Sequence, residues 1–159
     1  ASDVYKRQGM AIVPANILHK YGKYTEEEEK IMQLHSEFGY IFMKGFNLNR
    51  KVASIVRYHH ENWNGTGYPL GLKGVDIPFE SRILRVADFY DNARTEKSYR
   101  GGLTHKEAIE QLKKRSRELF DPDVVSAFLR VEVEIERIYL EAEERDIFEE
   151  CIKILKSLK

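Results

Sequence analysis

Three histidines and one aspartate fall where a helical reading turns them inward, namely His35, His59, His60 and Asp88. Imidazole nitrogen and carboxylate oxygen are good ligands for iron, manganese, zinc or nickel. His35 shares a helical stripe with Ile31, Leu34, Phe38 and Phe42. His59 and His60 follow Val52, Ile55 and Val56 at helical offsets, and Asp88 comes one turn after Leu84. Burying this many titratable groups is costly unless something pairs with them, and a metal cation would supply that charge. A single inward histidine is more often a hydrogen-bonded core residue, and a lone Asp88 more often a surface or cap-pairing acid. The adjacent His59-His60 pair argues against so plain a role. No short ligand motif of the zinc-finger kind is present, so spacing alone leaves both readings open.

The elements that must carry these residues are helices. Thr25 with Glu28 forms a capping box, and Glu26 to Glu29 suit the positive end of a helix dipole. Ile31, Leu34, Phe38, Ile41 and Phe42 recur at helical spacing until Gly45 and Asn47. A second helix is expected from about Arg50 to Glu61. Gly65, Gly67, Pro69, Gly71 and Gly74 make residues 62 to 78 a structured loop. Pro78 opens a helix carrying Ile83, Leu84, Ala87 and Tyr90, broken by Gly101 and Gly102. Thr104 and Glu107 cap a further helix to about Leu119. Asp121-Pro122 is an N-cap followed by a proline suited to the first helical position. The text then reads as helix to Lys159, with one break near Glu144 to Asp146. No stretch sustains strand alternation, so the expected fold is all-α.

Composition narrows the function. The chain has 159 residues, 42% hydrophobic and 33% charged, which suits one globular domain. Lys+Arg and Asp+Glu are 26 each, so broad electrostatic attraction to nucleic acid has no support. Cys151 is the single cysteine, which rules out an internal disulfide. No apolar run approaches the roughly 20 residues of a membrane span. Nor is there a signal peptide at the start, so a cytoplasmic setting is the default expectation. His105, beside Thr104 at a helix start, reads as exposed, and Trp63 reads as core packing ahead of stacking on a ligand ring.

One resemblance sharpens the reading. The run from His59-His60-Glu61 through Gly65-Thr66-Gly67-Tyr68-Pro69 to Gly71-Leu72-Lys73-Gly74 resembles the hallmark segment of HD-GYP domains. Val86-Ala87-Asp88-Phe89-Tyr90-Asp91 resembles that family's second metal segment. Thr25 to Glu29 with Ile31, Met32 and His35, and Phe120-Asp121-Pro122, resemble two further segments. The likeness covers roughly residues 9 to 130, leaving 131–159 as a C-terminal helical extension. It implies an all-α HD-superfamily fold, two or three divalent metal ions (commonly iron or manganese), and hydrolysis of the bacterial second messenger cyclic di-GMP to pGpG or GMP. It implies His35, His59, His60 and Asp88 as metal ligands. By the same likeness Lys97 and Arg100 hold the substrate phosphate, and Gly67, Tyr68 and Pro69 form the loop beside the site. A sensory or receiver domain is expected upstream in the complete protein.

The departures from that pattern are concentrated at the start. The family's namesake His-Asp pair belongs three and two residues before Gly9, where this chain has Lys6 and Arg7. The simplest account is that residues 1–8 are a scar replacing native text, which leaves an incomplete and inactive fragment. The alternative is a degenerate, non-catalytic signalling or binding module; hydrolysis of another nucleotide is a third. Met10 stands where many relatives carry a lysine, and Ser98 replaces a frequent proline. The C-terminal apolar positions Ile135, Ile138, Tyr139, Ile147, Ile152 and Leu155 would pack back on the domain or pair with a second copy in a homodimer.

Overall fold

The computed structural model describes residues 12–45, 50–95 and 101–144. The early residues, Lys97 and Arg100, and the C-terminal apolar positions from Ile147 onward therefore lie outside the described residues. Seven α-helices are described: α1 (Ala15–Leu18), α2 (Glu26–Gly45), α3 (Arg50–Tyr58), α4 (Phe79–Arg94), α5 (His105–Lys114), α6 (Pro122–Arg130) and α7 (Glu132–Glu144). A 3-10 turn spans Gly74–Asp76. Among the described residues the only β-type pairing is an isolated bridge between Ser116 and Phe120. The all-α expectation holds.

The chain divides into two compact units, Ala1–Val125 and Ser126–Lys159. In the first, α2 packs mainly on α3, α3 on α4, and α4 on α5. The core gathers Val56, Ile77, Val86, Leu112 and Phe120. In the second, Arg137 pairs with Glu134 one turn away on α7.

Local chemistry sets the helix starts as the sequence predicts. Glu28 N–H donates to Thr25 Oγ1 at 3.3 Å, and Glu28 Oε2 accepts from Thr25 N–H at 2.7 Å. Thr104 and Glu107 form the same reciprocal box on α5. Asp121 Oδ1 accepts from the N–H groups of Asp123 and Val124, capping α6. Its other oxygen accepts from Arg82 Nη1 at 2.6 Å. Asp121 is thereby buried with its charge paired, the condition under which a carboxylate tolerates burial.

Several boundaries and faces differ from expectation. Helix α3 stops at Tyr58, so His59 and His60 occupy the turn that follows it. Helix α5 ends at Lys114, and residues 115–120 fold into turns closed by the Arg117 N–H to Phe120 carbonyl bond. Pro78 is the N-cap of α4, one position earlier than the first helical residue. That helix ends at Arg94, ahead of the two glycines, where Thr95 turns to an extended conformation. Its buried apolar face is Val86, Tyr90 and Ala93, while Ile83 and Ala87 are exposed. A break not expected from the sequence falls at Val131, between α6 and α7, and the one expected near Glu144 to Asp146 runs outside the described residues.

The largest correction concerns α2. Ile31, Leu34, Phe38, Ile41 and Phe42 are exposed, and the buried face is His35, Ser36, Gly39 and Met43. Small residues let α3 approach α2 closely, so steric fit outranked the apolar stripe in choosing the buried face.

Candidate metal centre

Two helices and a turn bring three imidazoles together. His35 comes from the buried face of α2, and His59 and His60 from the turn after α3. His35 Nδ1 lies 2.6 Å from the Met32 carbonyl oxygen, and His59 Nδ1 lies 2.6 Å from that of Val56. A carbonyl only accepts, so each Nδ1 carries the proton and each Nε2 presents a lone pair. The carbonyl bonds also fix ring orientation, as a second shell does for metal-bound histidines.

The Nε2 atoms of the three rings converge. His35 Nε2 stands 3.5 Å from His59 Nε2 and 3.1 Å from His60 Nε2. The ligating atoms of the three rings all lie within 4.8 Å of one another. His59 is 0% exposed and His35 3%, so both rings are held away from bulk water. Donors about 2.1 Å from one tetrahedral ion stand roughly 3.4 Å apart, close to this spacing. The donor set therefore fits a divalent cation, by geometry as well as by residue type.

Asp88 stands outside the trio. It is half-buried on α4, and its carbonyl oxygen accepts from Asn92 Nδ2 at 2.7 Å. Its carboxylate acts electrostatically on Tyr68 and Arg85, both beside the pocket. Three of the four sequence-nominated ligands thus form one cluster, and the fourth is not part of it.

The Gly-rich loop is built onto the pocket. The Tyr68 ring stacks on His60 at 4.8 Å between centroids and meets His35 edge-on at 6.3 Å. Burial pushes the Tyr68 hydroxyl well above its ordinary range, against a smaller opposing pull from Arg85, so it remains an O–H. Tyr68-Pro69 is a cis peptide. Gly67 has a packing reason to be glycine. A Cβ there would come within 3.0 Å of backbone atoms of His60, Glu61 and Asn62.

Glu61 is a residue that sequence reasoning quoted without giving it a role. It is fully buried, and its two oxygens accept from Leu70 N–H at 2.8 Å and Leu72 N–H at 3.0 Å. Burial raises its pKa, and the backbone N–H groups of Leu70, Leu72 and Gly71 pull it back. The available signal was an acid directly after a histidine pair and before a breaker-rich loop. Trp63 is half-buried, and its backbone ties to Leu119 and Gly74. His105 is half-buried rather than exposed, because its Nδ1 meets the Tyr90 hydroxyl at 2.8 Å.

The chain is 36% identical over 136 residues to a cyclic di-GMP phosphodiesterase of Thermotoga maritima, covering 84% of this chain and 37% of that protein. It is 38% identical over 133 residues to the cyclic di-GMP phosphodiesterase response regulator RpfG of Xanthomonas campestris, covering 82% and 35%. A 3'3'-cGAMP-specific phosphodiesterase 2 of Vibrio cholerae is 36% identical over 123 residues, covering 76% and 24%. The chain thus spans between about a quarter and just over a third of these relatives' length. In fold it is similar to a crystal structure of a cyclic GMP-AMP specific phosphodiesterase of V. cholerae, with a TM-score of 0.60 at 21% identity, covering 96% of this chain and 37% of that one. The family profile described as HD domain matches residues 1–124, and the chain belongs to that family.

Proposed function

We propose that this chain is a divalent-metal-binding phosphodiesterase domain whose substrate class is cyclic dinucleotides, cyclic di-GMP first. One observation carries the reading: three imidazole Nε2 atoms converge, with the His35 and His59 rings buried and pinned through Nδ1. The relatives act on cyclic di-GMP or 3'3'-cGAMP by name, which supplies the substrate class.

His35, His59 and His60 would hold the first ion, with Asp88 completing a two- or three-ion set of iron or manganese. Bound divalent ions supply Lewis acidity toward phosphoryl oxygens and acidify water. The chain's own residues do the rest. The Met32 and Val56 carbonyls keep the imidazoles in the metal-binding tautomer. Tyr68, held as an O–H, offers a donor beside His60. Glu61 fixes the loop that carries it. Lys97 and Arg100 hold the phosphate, Arg100 through paired N–H donors.

Lys6 and Arg7 stand at the positions of the family's His-Asp pair and supply no ligands. The chain therefore binds metal and nucleotide while turning substrate over slowly or not at all. The test is metal analysis and cyclic di-GMP turnover on the chain loaded with Mn²⁺, beside His59→Ala. Bound manganese that falls at least severalfold in His59→Ala, with little turnover by either protein, supports the reading. Absence of bound metal sinks the site, and robust hydrolysis overturns the assignment of low activity.

A further inference from the structure

A guanidinium outside the sequence-nominated set sits beside the pocket with one face unused. Arg85 lies on α4 one turn before Asp88, so the two share a side of the helix. Asn62 Oδ1 accepts from Arg85 Nε at 3.2 Å and from Nη2 at 2.9 Å. That uses the lateral edge of the guanidinium and leaves the terminal Nη1/Nη2 edge without a protein acceptor among the described residues. The Asn62 amide is itself oriented, because its Nδ2 donates to Thr66 Oγ1 at 3.2 Å. Thr66 Oγ1 in turn donates to Asn64 Oδ1 at 2.7 Å. A directional relay through the loop thus fixes where Arg85 points.

The surroundings favour an anion. Arg85 is largely buried and within electrostatic reach of Tyr68, Asp88 and a second guanidinium, Arg115. Arg115 lies over the Phe89 ring at 5.3 Å, and Arg85 over Phe120 at 5.7 Å. Neither arginine forms a salt bridge among the described residues, although Arg82, on the same helix as Arg85, does. Asp88 offsets part of the Arg85 charge, and Arg115 adds a like charge that a bound anion would relieve.

We propose that Arg85 is a phosphate-binding residue for the cyclic dinucleotide, presenting its terminal edge to a phosphodiester while Asn62 holds its lateral edge. The proposal rests on the nucleotide reading above and deepens it. It adds a contact on α4 to those expected from Lys97 and Arg100. The planar fork suits two parallel N–H bonds to one phosphate, which lysine's point charge does not reproduce.

The test is calorimetric binding of cyclic di-GMP to the Mn²⁺-loaded chain, with Arg85→Gln, Arg85→Lys and Asn62→Ala beside it. Metal content and thermal midpoint are measured on each. Arg85→Gln should weaken binding by about tenfold or more, the scale of a lost charge-assisted pair, with metal content unchanged. Arg85→Lys should recover part of that loss, and Asn62→Ala should lose less than Arg85→Gln. Nucleotide binding by the wild type that is unchanged in Arg85→Gln overturns the Arg85 assignment and leaves the function standing. A wild-type chain that binds manganese but no cyclic di-GMP removes the nucleotide reading, and this proposal with it.

Discussion

A buried acid whose two oxygens are taken by backbone N–H groups shows how much of this site is support. Glu61 offers two oxygens to two backbone N–H groups, and so ties residues 70 and 72 to the residue following the histidine pair. Glutamine in its place keeps one acceptor and turns the other toward a backbone donor. One buried N–H then loses its partner, which costs about 1–3 kcal/mol. Glu61→Gln should accordingly lower the urea midpoint, and nucleotide affinity should fall with it as Tyr68 loses its fixed seat. An unchanged midpoint would show that the loop does not hang on this carboxylate. Residue types alone nominated His35, His59 and His60, because imidazoles are expensive to bury without purpose. They could not give Glu61 a role, since its partners are backbone groups that no side-chain pattern records. Arg85 was hidden for a similar reason: an arginine within an apolar run reads as a surface residue until Asn62 is seen holding it.

Helix starts were legible at the scale of elements and buried faces were not. A capping box is local chemistry spanning four residues, so Thr25/Glu28 and Thr104/Glu107 appear where the sequence puts them. The buried face of α2 depends on what packs against it. Its apolar stripe and its small-residue face adjoin, and close approach by α3 selects Ser36, Gly39 and Met43. The same selection carries His35 inward, although the stripe used to argue for its inward placement is exposed. This gives an asymmetric expectation. Met43→Ala removes a 1% exposed side chain and should cost about 2–5 kcal/mol. Ile41→Lys alters a side chain 58% exposed and should stay within about 0.5 kcal/mol. Denaturant melts of the two variants decide it. A larger loss for Ile41→Lys would mean that the apolar stripe of α2 is covered in solution.

For the whole molecule the deciding quantity is charge. With 26 basic and 26 acidic residues the chain has no net field to gather polyanions. Attraction to a phosphate ligand must come from local cations, and Arg85, in electrostatic reach of Tyr68, is one of them. No described helix is long and apolar enough to cross a membrane. A local arrangement of this kind discriminates by shape and a generally basic surface does not. Duplex DNA engages proteins through many phosphates at once, and its affinity follows the number of cations it can recruit. A cyclic dinucleotide needs only one or two well-placed guanidinium groups. The Mn²⁺-loaded chain should therefore bind cyclic di-GMP in about 0.15 M salt while a labelled random duplex fails to saturate at roughly 100 μM chain, the weak end of non-specific DNA binding. Fluorescence anisotropy on both ligands in one buffer measures the contrast. Saturable duplex binding at that salt would show that a basic patch, and not the pocket, dominates how this molecule meets phosphate.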